Sequence, residues 1–81
     1  MNIRNLEYLV ALAKYRHFQR AAEACNVSQP TLSAQLRKLE NELGLQLLER
    51  TTRKIRFTQT GLRLVEQTQV VLREIEALKN M

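Results

Sequence analysis

At 81 residues the chain supports one small domain, which core burial alone leaves only marginally stable. Hydrophobic residues make up 44%, with Leu dominant, one Pro and two Gly; this excludes a disordered chain and favours a mainly α fold. The net charge of +5 lies entirely in residues 1–60, which hold ten Lys/Arg against five Asp/Glu, while residues 61–81 hold three of each. The basic excess therefore suits a polyanionic partner for the first part of the chain.

The first predicted helix covers residues 3–15, with Ile3, Leu6, Leu9, Val10 and Ala13 at helical spacing. Leu12 and Tyr8 extend its apolar surface, so it is expected to be covered on more than one side, by a second helix or a second subunit. Arg4 and Glu7 interrupt any signal-peptide pattern, and the longest apolar run, residues 8–13, is far too short to span a bilayer. A cytoplasmic location is the expectation.

After Arg16 and His17 break the pattern, residues 18–37 read FQRAAEACNVSQPTLSAQLR: a short helix, a tight turn and a second helix, as in a helix-turn-helix that enters DNA. Ala21, Ala22 and Ala24 are small enough for two helices to approach closely. Asn26 tolerates the left-handed backbone expected at the turn. Ser28 offers an N-cap, and Pro30 falls in the first turn, where its missing N–H costs no helical bond. Cys25 is expected as a buried, inert thiol; being alone, it forms no internal disulfide.

The third helix should run over residues 28–43 and stop at Gly44. Leu32, Leu36, Leu39 and Leu43 form its core stripe. The opposite side carries Pro30, Ala34 and Arg37, flanked by Thr31, Ser33 and Lys38. Short side chains at the start of this face let a helix sink into the major groove, and the cations beyond lie near phosphates. On a helical wheel Gln29 falls nearer the core side than Ser33.

Segments 45–50 and 53–58 then predict a small β-hairpin wing, spanning about residues 46–57. Arg50, Arg53, Lys54 and Arg56 place four cations within seven residues on or beside it. Thr58 is a plausible N-cap for the last helix. Gly61, Leu64, Thr68, Val71, Ile75 and Leu78 recur there with spacing 3-4-3-4-3, an a/d seam, beside a second stripe of Leu62, Val65 and Leu72. One stripe is expected to pack on the domain and the other on a twin helix, giving a homodimer through Leu64, Thr68, Val71, Ile75 and Leu78. The division expected is a winged helix-turn-helix over residues 1–58 and a linker helix over 59–81. The helix reaches Met81 without a C-cap signal, as an amino-terminal piece of a longer protein would.

The pattern FxRAAxxCxVSQPTLSxQLRKLExELGxxLLER, followed by FTxTG at residues 57–61, resembles the LysR-type transcriptional regulators over the whole sequence. RHFQRAAEAC and VSQPTLSAQLRKLE are most similar to their peroxide-responsive OxyR branch. The resemblance implies a winged helix-turn-helix, a linker helix that dimerises antiparallel to its twin, a carboxyl-terminal sensor domain beyond this sequence, and a dimer of dimers. It implies Gln29, Pro30 and Ser33 as base-edge readers, and Arg4, Ser28, Thr31, Lys38, Arg50, Thr51 and Arg53 as backbone contacts. The helical wheel adds Arg37 to the backbone set, and the wing adds Lys54. Two positions depart from the family pattern: Leu48 stands where many members carry Phe, and Ala34 where many carry a bulky or basic residue. The first is a core variation; the second removes a contact and relaxes specificity. The peroxide-reactive cysteines of that branch belong to the sensor domain, which leaves Cys25 outside that role.

The expected function is sequence-specific binding of double-stranded DNA, at an interrupted palindrome, with neither catalysis, cofactor nor metal. One His, one Cys, no ligand cluster and no glycine-rich phosphate loop argue against an enzyme. RNA is a weaker partner, since no aromatic platform for stacking bases is evident. The rival reading is a helical protein-interaction module, with residues 58–78 as its working part and the basic face merely solvated.

Overall fold

The computed structural model of the chain describes residues 1–49 and 54–81. Its helices are α1 (Ile3–Tyr15), α2 (Phe18–Ala24), α3 (Gln29–Leu43) and α4 (Gln59–Lys79). Each begins on a side-chain cap that accepts a backbone N–H: Asn2 from Asn5, the His17 Nδ1 from Arg20, Ser28 from Thr31 and Thr58 from Gly61. Left-handed residues end α1 and α3: Arg16 (φ 51°) donates its N–H to Leu12, and Gly44 (φ 67°) donates to Glu40. Asn26 (φ 58°) turns the chain between α2 and α3, as its side chain predicts.

The core is a small leucine cluster. Leu9, Leu12, Leu32, Leu39 and Leu47 are at most 1% exposed, and α1 packs against all three other helices. Burying a leucine contributes about 1.5–3 kcal/mol, so these few residues dominate the stability of so short a chain. Ala21 and Ala22 are buried between helices, where a larger side chain would hold them apart. Two expectations are corrected. Ile3, at the first position of α1, is 49% exposed because it precedes the turn that reaches the core; the buried stripe is Asn5, Leu6, Tyr8, Leu9 and Leu12. Ala24 is exposed at the end of α2 and takes no part in the close approach. The Asn5 side-chain amide nitrogen is buried and finds no acceptor among the described residues.

Between α3 and α4, residues 45–49 and 54–58 run antiparallel. Glu49 N–H donates to the Arg56 carbonyl (2.9 Å) and Thr58 N–H to the Leu47 carbonyl (3.0 Å), bracketing a Leu48–Phe57 bridge. Residues facing each other in such a non-hydrogen-bonded pair bring their side chains closest, and here both are buried. Leu48 thus fills the core at the position where the family pattern has Phe. The predicted contacts Arg50, Thr51 and Arg53 lie outside the described residues.

The first half of α4 lies against the rest of the domain, burying Gly61, Val65 and Thr68. A Cβ on Gly61 would stand 2.3 Å from the Leu47 carbonyl oxygen, so only glycine permits this approach. The expected seam therefore divides. Thr68 is 2% exposed within its own chain, and Leu64 packs partly against the same core. Only Val71, Ile75 and Leu78 of that seam extend beyond it, with Leu78 69% exposed. The periodicity is real, but the chain itself covers its first half.

Candidate nucleic-acid interface

The helix-turn-helix is built by α2, the turn at residues 25–28 and α3. Its geometry follows from local hydrogen bonds. Cys25 N–H donates to Ala21 and Ala22, and Val27 N–H returns to the Ala22 carbonyl (3.0 Å), which closes the end of α2. The Ser28 hydroxyl accepts from Thr31 N–H (3.2 Å) and donates to Thr31 Oγ1 (2.9 Å). Ser28 is thereby engaged in holding the first turn of α3. Once Leu32, Leu36 and Leu39 are buried, the opposite side of α3 must face outward. Pro30, Thr31, Ala34, Arg37 and Lys38 are all exposed there.

Gln29 and Ser33 exchange the places expected of them. Gln29 is exposed and Ser33 half-buried. Gln29 is the first residue of α3, beyond the reach of the leucine stripe, whereas Ser33 sits beside Leu32 in the body of the helix. Gln29 also borders an open groove of about 600 Å³ with Arg16, His17, Phe18, Gln19, Lys54 and Ile55. The groove runs from the start of α2 to the paired segments, so helix-turn-helix and predicted wing line a single concavity. Lys54, expected on the wing, borders the same groove. Arg16, His17 and Gln19 were not singled out from the sequence.

Arg4 is drawn toward partners within the chain. Its guanidinium donates to the Cys25 carbonyl (3.1 Å), lies 3.7 Å from Glu7 and stacks 5.1 Å from the centre of the Tyr8 ring. It braces the end of α2 against α1. Arg16 similarly stacks on the Phe57 ring at 5.6 Å, linking the α1–α2 turn to the second paired segment. Cys25 is half-buried against the core. Burial pushes its thiol above the usual range, the nearby Arg4 charge partly opposes this, and Glu7 adds to it. Among the described residues, no group of three His, Cys, Asp or Glu is placed to hold a metal. Among them, too, no helix is long and apolar enough to cross a membrane.

Comparison with known proteins agrees with this architecture. Residues 3–62 match the family model of the bacterial regulatory helix-turn-helix proteins of the lysR family. The chain is 70% identical over all 81 residues to a hydrogen peroxide-inducible genes activator of Pectobacterium carotovorum, and 68% identical to the DNA-binding transcriptional dual regulator OxyR of Escherichia coli K12. It spans 27% of the length of each. Among solved structures it superposes on full-length OxyR from Pseudomonas aeruginosa with a TM-score of 0.95 at 45% identity, covering 99% of this chain and 27% of that one. It also superposes on the BenM DNA-binding domain in complex with benA site 1 DNA, with a TM-score of 0.95 at 36% identity, covering 100% of this chain and 91% of that one. The chain belongs to the lysR family of bacterial regulatory helix-turn-helix proteins.

Proposed function

We propose that this chain is the sequence-specific, double-stranded DNA-binding part of a LysR-type transcription regulator, and that it works by binding without chemistry. The observation that carries the reading is the outer face of α3: exposed, free of long acidic side chains over its first turns, and flanked by Arg37 and Lys38. A helix with short side chains leading and cations following fits a major groove whose phosphates lie on either side. The likeness to a BenM domain solved on DNA supports the same docking.

In this reading Gln29, Pro30 and Ser33 read base edges, with Gln29 bonding an adenine and Pro30 touching a thymine methyl. Thr31, Arg37, Lys38 and Lys54 contact the backbone, joined by Arg50, Thr51 and Arg53 of the wing. Arg4 and Ser28 assist by holding the turn and the first helical turn in place. Residues 1–58 form the winged domain, and 59–81 the linker helix. A homodimer forms through the distal part of α4, where Val70, Val71 and Leu78 are exposed and Ile75 is half-buried. The kinship with the peroxide-inducible activators supports a response to peroxide, and a tetramer in the intact regulator and a cytoplasmic location complete the proposal.

Selection of bound duplexes from a random pool, at near-physiological salt, tests the proposal. Enrichment of an interrupted palindrome is expected, and its half-site spacing measures how far apart two recognition helices are held. Retention of a protein partner in high salt, with no affinity for DNA at low salt, would instead establish the interaction-module reading.

A further inference from the structure

The outer face of α3 and the segments 45–49 and 54–58 can act on one duplex only while their separation stays fixed. One buried group joins them. Glu40, on the inner side of α3, is 9% exposed, and its Oε2 accepts the backbone N–H of Leu47 (2.7 Å) and that of Leu48 (3.3 Å). A carboxylate is withdrawn from water in this way only where strong donors meet it. Leu47 is gripped from the other side as well. Its carbonyl accepts from Thr58 N–H (3.0 Å), and the Thr58 hydroxyl donates to the neighbouring Gln46 carbonyl (2.6 Å). The bare Cα of Gly61 then seats α4 directly on the Leu47 carbonyl. The N–H of one residue is thus held by the recognition helix, and its C=O by the start of α4.

We propose that Glu40 is a positioning residue for DNA recognition, fixing the wing segments and the start of α4 to the recognition helix through Leu47 and Leu48. This rests on the DNA-binding reading above and deepens it. A purely stabilising Glu40 would, on removal, lower every mode of binding in proportion to the unfolded fraction. A positioning Glu40 leaves a folded chain whose α3 still reads bases while the wing no longer meets its phosphates.

The test uses Glu40→Leu and Glu40→Gln in this chain, read by amide hydrogen exchange without DNA and by DNA affinity across a salt series. In Glu40→Leu, exchange at Leu47 and Leu48 is expected to quicken about tenfold or more while that of Leu9, Leu12 and Leu32 holds. The salt slope should fall by about one to two, with base preference retained. Glu40→Gln keeps an oxygen for both amides and is expected to preserve most of their protection. A folded Glu40→Leu with unchanged exchange at Leu47 and Leu48, an unchanged salt slope, or an altered base preference would overturn the proposal. Should Glu40→Leu fail to fold, Glu40→Asp, which withdraws the carboxylate by one methylene, takes its place; exchange at Leu47 and Leu48 matching the parent would then overturn it. Because the exchange arm needs no DNA, its failure tells against the coupling alone. Absence of DNA binding by the parent chain would instead remove the reading on which the coupling's purpose depends.

Discussion

The inner and outer sides of the helix-turn-helix are made from the same fifteen-residue helix and obey different rules. The inner side of α3 presents leucines at spacing four and three, each almost fully buried, and one carboxylate tied to distant backbone. The outer side presents Pro30, Thr31, Ala34, Arg37 and Lys38 to solvent. Packing fixes the identity of an inner residue within a methylene or so. An outer residue is constrained only by what it must touch. Stability and recognition should therefore be separable by mutation along one helix.

The largest effect tests the inner side. Leu32→Ala is expected to destabilise the chain by about 2–5 kcal/mol in denaturant unfolding, since Leu32 is wholly buried. A loss under about 1 kcal/mol would mean the core collapses freely and the contrast is overstated. On the outer side, Gln29→Ala should cost about 1–3 kcal/mol of discrimination at one base position and leave unfolding unchanged; an unchanged base preference would rule that contact out. Ser28→Ala tests the border between the two, and removing this cap should cost about 1 kcal/mol of stability. Arg37→Ala should weaken binding to all duplexes alike and reduce the salt slope by about one, with stability moved by less than about 0.5 kcal/mol. A sequence-selective loss there would place Arg37 on a base.

The smallest effect concerns Cys25, half in and half out. Its raised pKa means the thiolate is less favoured in the folded chain than in the unfolded one. The associated stability is full below the ordinary thiol pKa and is lost as pH rises through the raised folded value. Alkylation should accordingly run slower in the folded chain than in denaturant between about pH 7 and 9. Equal rates would show that burial there leaves the thiolate undisturbed.

Local chemistry made much of this legible in advance. Asn26 and Gly44 are residue types that accept a left-handed backbone, and Ser28 and Thr58 are cap formers, so turns and helix starts could be placed from them. Arg16 adopts the same left-handed conformation with no such signature, which is why its place on the groove beside Gln29 could not be read. Periodicity identified the stripes of α4 but not their cover: nothing in the spacing of Thr68 distinguishes a twin helix from the rest of its own chain. The wheel misjudged Gln29 because a wheel treats a terminal residue as though helix continued beyond it. Glu40 was hidden more deeply. As a charge flanked by Leu39 and Asn41 it resembles any solvated glutamate, and its partners lie seven and eight residues away across a turn. The glycine of FTxTG likewise acquires its reason only when the Leu47 carbonyl is seen against it.

The burial of α1 on three sides has a consequence for how the molecule is made. α1 carries the buried Tyr8, Leu9 and Leu12 and is synthesised before any of the helices that pack on it, and α4, one of those helices, begins only at Gln59. At about 5–20 residues per second, that apolar surface stays open for several seconds during synthesis. The recognition helix is thus made before the cover of α1 is complete, and the nascent chain stays open to proteases and to premature association until α4 has followed it.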